Sequence, residues 1–326
     1  MKKIFITGGA GYVGAMLVPH LLKKGYEVTV YDLMIYGSEV LEPNEKLNII
    51  KGDLRDIKKI KESVQSHEVV IHLACISNDP SFELNPKLGK SINLDPFEPF
   101  VRDCIDCGVE RFIYASSSSV YGIKKEKNVS EDMSLEPLTD YSKFKVQCEK
   151  ILFSFKEKNF TPIIIRPATV CGYSPRQRLD VVVNILTNLA YHKRKISIFG
   201  GDQLRPNIHI KDMVQAYELL IEANKDLVSH QIFNAGYENQ SVSELGASVK
   251  EIIGEDVILE KKETNDNRSY HISSNKIKKI LNFSPKFTIK NAIEELKIAF
   301  DKNKLPNSLI DEKYFNIKRM NSIKLK

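Results

Sequence analysis

The sequence predicts an α/β protein built on a doubly wound parallel sheet with helices on both faces. Three observations predict it. Short β-rich runs alternate with helical stretches through the first half of the 326 residues. The first run, KKIFIT, passes directly into GGAGYVG at residues 8–14 and then into a helical stretch. The second run ends in Asp32, about twenty residues beyond the glycines, the spacing at which a dinucleotide-binding sheet carries a ribose-binding carboxylate.

KKIFIT reads as the first strand, and YVGAMLVPHLLKKG has helical periodicity and stops at Gly25. YEVTVYD alternates and is β-branched, and LNIIKGD, EVVIHLA and RFIYASS repeat that pattern, each followed by a polar loop or helix. PKLGKSINLDPFEPFVRDCIDCG reads as a helix with a bend or restart at Pro96 and Pro99, because proline removes a helical hydrogen bond. A helix over TDYSKFKVQCEKILFSFKEK and a strand over PIIIRPATV come next. Beyond Cys171 the pattern loosens into a loop CGYSPRQR, a helix from about Leu179 and a strand ISIFGG. HIKDMVQAYELLIEA is an amphipathic helix, SVSELGASVKEIIG opens with a capping signature, and TIKNAIEELKIAF is the last clear helix. There are no internal repeats or low-complexity linkers, so one compact unit or two intimate domains are expected.

The composition is that of a globular protein, 42% hydrophobic and 28% charged. A formal charge of +6 raises the question of nucleic acid, but the lysines are scattered and no basic stripe with interleaved aromatics occurs. The densest basic run, IKRMNSIKLK, reads as a solvated, frayed end. A mildly basic surface suits a small anionic substrate. No apolar stretch reaches membrane-spanning length, and MKKIFITGG lacks a secretory cleavage site. Five cysteines at irregular spacing fit a reducing, cytoplasmic setting, and the Cys104–Cys107 pair lacks the partners of a zinc site.

A glycine loop between a strand and a helix presents free N–H groups to a pyrophosphate. Gly11 lets backbone approach the phosphates and Gly14 lets the helix pack on the strand. Asp32 accepts hydrogen bonds from the adenosine ribose and repels a 2′-phosphate, which favours NAD over NADP. Asp53, after the third strand, reads either as an adenine contact or as a helix cap. Farther along, Tyr141 and Lys145 stand four apart on a helix and share a face. A neighbouring ammonium and an oxidised nicotinamide ring favour the phenolate of a tyrosine that is otherwise a poor base at neutral pH.

Together TGGAGYVG, HLA at 72–74, SSSSVYG, YSKFK, RPATVCGYSP at 166–175 and GGDQLRPNIHIKD at 200–212 span most of the chain. With them the sequence resembles the extended short-chain dehydrogenase/reductase family, in its NAD-dependent nucleotide-sugar epimerase/dehydratase branch. The resemblance implies a Rossmann-type domain over residues 1–170 with a return segment at about 206–235, and a smaller mixed α/β substrate domain over 171–205 and 236–326. It implies that Gly8, Gly11, Tyr12, Val13 and Gly14 line the dinucleotide, with Asp32, Asp53, Leu54, Leu73 and Ala74 completing the cofactor site. Tyr141 becomes the base, Lys145 holds the nicotinamide ribose, and Ser117 hydrogen-bonds the reacting sugar oxygen, with a register error of one among the serines left open. Arg205 falls on the substrate diphosphate, and Arg268 and Tyr270 fall along the substrate pocket. His209 and Asn93 are expected to be structural.

The departures narrow the function. Relatives that remove water across sugar C5 and C6 follow the catalytic threonine with an Asp-Glu pair, but here Ser118 and Ser119 stand there without a carboxyl group. NVYGP reads TVCGY, with Cys171 in place of tyrosine, and HLAA reads HLAC, with Cys75 expected near the nicotinamide pocket; packing is the expected role of both thiols, with tuning of substrate fit the alternative. The expected activity is epimerisation at C4 of a UDP-hexose by transient hydride transfer through a keto sugar, without net use of NAD. A reductase acting on a nucleotide-linked 4-keto sugar is the alternative; a 4,6-dehydratase or a non-enzymatic dinucleotide sensor ranks lower. The partner is a nucleotide-diphosphate sugar, with no nucleic acid, membrane or metal. A homodimer through the helices near 86–107 and 139–158 is expected by resemblance.

Overall fold

The computed structural model describes residues 2–77, 84–126, 128–264 and 271–325. The strands are β1 (Lys3–Thr7), β2 (Glu27–Asp32), β3 (Leu47–Lys51), β4 (Val69–His72), β5 (Arg111–Ala115) and β6 (Thr161–Pro167). They continue as β7 (Thr169–Cys171), β8 (Lys195–Phe199), β9 (Leu204–His209), β10 (Gln231–Ala235), β11 (Glu238–Ser241) and β12 (Ile258–Lys262). The helices are α1 (Gly14–Lys23), α2 (Ile57–Val64), α3 (Pro86–Asn93), α4 (Phe97–Asp106), α5 (Asp140–Ser154) and α6 (Val182–Lys193). After them come α7 (Ile210–Glu222), the one-turn α8 (Lys225–Val228), α9 (Val242–Ile253), α10 (Asn275–Leu281), α11 (Ile289–Asp301) and α12 (Asn316–Ile323).

Seven parallel strands form one sheet in the order β10-β6-β5-β4-β1-β2-β3. Chain order runs outward in both directions from the β1–β4 pair, so the loops leaving these strands diverge and open a crevice at their carboxyl ends. The alternation read in the first strand is real: Ile4 and Ile6 join a core with Leu17 and Leu21 of α1 and Leu220 of α7. Phe5 faces the opposite side, with Phe100 of α4 and Leu152 of α5. Each face is thus sealed by helices, as the doubly wound expectation requires.

Two further sheets lie outside this one, β11-β9-β7 and β12-β8. A separate core of Val183, Leu186, Ile196, Leu245 and Ile293 joins α6, β8, α9 and α11. The single strand expected over residues 162–170 is two strands. The Ala168 amide makes the last bond of the ladder toward β10, to the Ala235 carbonyl (2.7 Å), and β7 then pairs with β9 in another sheet.

The helix expected near 86–108 breaks where the prolines indicated. Pro96 sits at the amino-terminal boundary of α4. Pro99 falls in the first turn of that helix, where its missing N–H costs no intrahelical bond. The tail is a correction: IKRMNSIKLK is not a frayed end. It folds as α12, whose Asn316 and Met320 are buried, and Arg319 Nε donates to the Ile35 carbonyl (2.6 Å) beyond β2. Lys318 is exposed while Met320 packs into the core beneath, an amphipathic pattern too short to read among so many lysines.

Candidate active site

A cleft of about 510 Å³ opens at the crevice between β1 and β4, walled by the glycine loop, the loop after β4, the serine loop after β5, the start of α5 and the 176–182 segment. Gly8 has a φ of +75° and a Cβ there would meet the Ala74 backbone nitrogen at 2.6 Å, so only glycine lets the loops after β1 and β4 touch. A Cβ on Gly14 would collide with the Gly9 carbonyl, closing the first turn of α1. Gly11, Tyr12, Val13, Leu54, Leu73 and Ala74 all line the cleft. The tight loop these glycines form, with the amino end of α1 behind it, fits the pyrophosphate of a dinucleotide.

Asp32 closes β2 against this loop, its carboxylate accepting from the amides of Ala10 (3.0 Å) and Met34 (2.8 Å). Burial pushes its carboxyl above the usual carboxylate range, against the pull of those two amides. Asp53 turns from the cleft: its carboxylate accepts from Arg55 Nη2 at 2.6 Å, and the cap of α2 is Asp56, so the wall here is Gly52 and Leu54. The Tyr12 side chain is committed elsewhere. Its hydroxyl donates to the Gly172 carbonyl (2.7 Å) and accepts from Asn184 (3.0 Å), binding the glycine loop to the segment beyond β7.

The end of β5 gathers the remaining residues. Thr139 and Ser142 form a reciprocal cap that starts α5, putting Tyr141 in its first turn at the cleft wall. One turn on, buried Lys145 donates to the Ala115 carbonyl at 2.6 Å, with its ammonium 5.7 Å from the Tyr141 ring centre. Ser117 follows Ala115 by two residues and lines the same wall, its Oγ accepting from the Ser119 amide (3.1 Å) and hydroxyl (2.9 Å). Ser116, Ser118 and Ser119 line the cleft as well; the Ser116 hydroxyl is bound to the buried Glu149 carboxylate (2.5 Å), and Ser118 is 3% exposed. Behind this wall His72 bonds the Thr7 hydroxyl through Nδ1 (2.8 Å), and burial pulls its imidazole down to about 3. Asn93 holds the loop after β4 through both the amide and the carbonyl of Ile76 (2.8 and 3.0 Å), a structural part as expected.

Arg205 lines the cleft from β9. His209 packs face to face with Phe287 and is buried, in keeping with a structural role. Cys75 lines the cleft, while Cys171 packs in the core: it is fully buried, with its thiol on the Ile208 carbonyl (3.5 Å). Arg268 and Tyr270 lie outside the described residues. Among the described residues no cluster could hold a metal ion.

Sequence reasoning missed Tyr36, Arg176, Arg178, Asp180, Asn316 and Met320, all on the cleft wall. Arg176 stacks on the Tyr36 ring at 3.5 Å from its centre and donates to Asn316 Oδ1 (2.7 Å). Arg178 Nε donates to Asp180 (2.5 Å) and its Nη1 to the Ser77 hydroxyl (3.2 Å). The signal available was PRQR, two cations in a loop directly after a strand end.

The model of the NAD dependent epimerase/dehydratase family matches residues 4–236. An uncharacterized UDP-glucose epimerase of Bacillus subtilis is 29% identical over 310 residues, covering 89% of this chain and 95% of its own. The UDP-glucose 4-epimerase of Lactobacillus helveticus is 25% identical, with 87% of this chain and 92% of its own covered. Among solved structures, the UDP-glucose 4-epimerase of Thermotoga maritima with UDP-glucose superposes with a TM-score of 0.84 at 25% identity, over 93% of this chain and 99% of its own.

Proposed function

The chain belongs to the NAD dependent epimerase/dehydratase family, and from that premise we propose that it is a nucleotide-sugar epimerase inverting C4 of a UDP-hexose. The reading rests on one observation: Ser117 and Tyr141 line the same cleft as the glycine loop, with the Lys145 ammonium 5.7 Å from the Tyr141 ring centre. NAD supplies a hydride acceptor that later returns the hydride. Tyr141 takes the proton of the sugar 4-hydroxyl and gives it back after the keto sugar has turned. Ser117 holds that oxygen by a hydrogen bond, and Lys145 favours the phenolate and reaches the nicotinamide ribose. Asp32 takes the adenosine ribose, Leu54, Leu73 and Ala74 flank the rings, and Arg205 takes the substrate diphosphate.

Charge on the wall separates this from dehydration. The carboxylates among the described lining residues are Asp32 and Asp180, and Asp180 is tied to Arg178. Neither stands beside Ser117 in the chain, where an acid for removing water would have to follow it.

We extend the proposal to the domain division, residues 1–170 with about 206–235 for NAD and 171–205 with 236–326 for substrate, since β10 rejoins the large sheet beside β6. A homodimer through α4 and α5, with half-buried Phe144 and Ile151 at the contact, and a cytoplasmic setting belong to the same proposal. No helix among the described residues is long and apolar enough to cross a membrane. Purified protein incubated with UDP-glucose or UDP-galactose, without added cofactor, should interconvert them. Absence of conversion across a panel of nucleotide sugars would defeat the reading.

A further inference from the structure

We propose that Arg176 and Arg178 form a clamp on the pyrophosphate of the dinucleotide, closing over it from the side opposite the glycine loop. The inference rests on the NAD-binding reading above and adds a site to it. Both arginines line the cleft. Arg176 is 4% exposed, and its Nε has no hydrogen-bond partner among the described residues; the same holds for Nη2 of Arg178, whose side chain is 13% exposed. Buried donors are almost always paired, so two vacant N–H groups on one wall mark where acceptors are to arrive.

Their remaining atoms are fixed. Asp180 and Ser77 hold Arg178, while Asn316 and the Tyr36 ring hold Arg176. Asn316 also accepts from the Tyr36 hydroxyl (2.8 Å) and donates to Ser77 (2.9 Å), joining both arginines to one frame. Two rigid forks with free N–H groups suit phosphate oxygens better than flexible ammonium groups would.

Position selects the pyrophosphate. Arg176 stacks on the ring of Tyr36, four residues beyond Asp32 at the adenosine-ribose end, and Arg178 bonds Ser77 in the loop after β4, which lines the same cleft as Tyr141 at the nicotinamide end. Between those ends the Ser174 hydroxyl donates to the Tyr12 carbonyl (2.9 Å), seating the turn that carries both arginines on the glycine loop. A dinucleotide's pyrophosphate lies between its two riboses, so it falls between these landmarks. The substrate diphosphate shares this chemistry, and the experiment separates the two sources.

Binding of NAD, ADP-ribose, adenosine and UDP to the full chain, first stripped of co-purified nucleotide, is measured by calorimetry for the wild type, Arg176→Met and Arg178→Met. Each variant should weaken NAD and ADP-ribose by roughly 10- to 100-fold and leave adenosine and UDP within about twofold. Unchanged NAD affinity overturns the clamp, as does a loss confined to UDP or an equal loss for adenosine. If the methionine variants do not fold, Arg176→Lys and Arg178→Lys keep the charge but lose the fork. They should weaken NAD by about fivefold with UDP unaffected, and full affinity overturns the proposal. A wild type that binds neither NAD nor ADP-ribose sinks the functional reading itself, whereas wild-type binding with unaffected variants sinks the clamp alone.

Discussion

Glu149 and Arg166 meet two-handed inside the molecule, Nε to one carboxylate oxygen at 2.9 Å and Nη2 to the other at 2.6 Å, with side chains 5% and 2% exposed. Ser116 donates to the same carboxylate, and the Tyr121 hydroxyl accepts from Arg166 while donating to Asn234. This network fixes the serine loop from below and ties α5 to β6.

Removing one partner leaves the other charge buried and unpaired, which costs about 3–5 kcal/mol. Glu149→Ala is therefore expected to lower unfolding free energy by about that amount in urea titrations. A loss under about 1 kcal/mol would mean that water or another donor already shares the charge.

Tyr141→Phe keeps the ring and loses the hydroxyl. Turnover should fall by about 10²- to 10⁴-fold, the usual contribution of a positioned proton-transfer group, while NAD remains bound. Cofactor absorbance of the purified variant and a single-turnover assay check the two halves separately.

His72 gives a pH dependence. Its imidazole is pulled from the ordinary 6.5 to about 3, chiefly by burial and secondarily by the Lys145 charge, so it stays neutral in the folded protein while the unfolded chain takes up a proton. A depressed imidazole contributes stability above about pH 6.5 that is lost as pH falls toward 3. Near pH 5 the loss amounts to about 2 kcal/mol. His72→Gln, retaining a partner for Thr7, should show a shallower decline in unfolding free energy between about pH 7 and about pH 5. An identical slope for the two proteins would exclude His72 as the source.

Met320→Asp tests the tail. A carboxylate in place of a buried thioether beneath α12 should detach the helix from the cleft wall and weaken NAD binding by at least about tenfold, with the main unfolding transition little moved. Calorimetric titration with NAD, alongside thermal unfolding, reads both.

What the sequence made legible was local. The glycine loop, Asp32, the serine stretch and the Tyr141–Lys145 pair each announce themselves within a few residues, because turn geometry and helical spacing are short-range properties. Arg176, Arg178 and Asn316 carry no such mark. Their placement depends on β7 leaving the main sheet at Ala168 and on α12 returning across the molecule, both settled by packing between distant segments. The motif put Cys171 where relatives carry a tyrosine, and the switch into the β9 sheet is what turns it into the core.

The return of α12 also orders events in time. Residues 316–325 leave the ribosome after every strand of the large sheet, yet Asn316, Met320 and Leu325 belong to the cleft wall. The sheet can assemble during translation, with its dinucleotide groove still unroofed. Cofactor loading then waits for α12, and nascent chains stalled before it should be dinucleotide-free even where their sheet is complete.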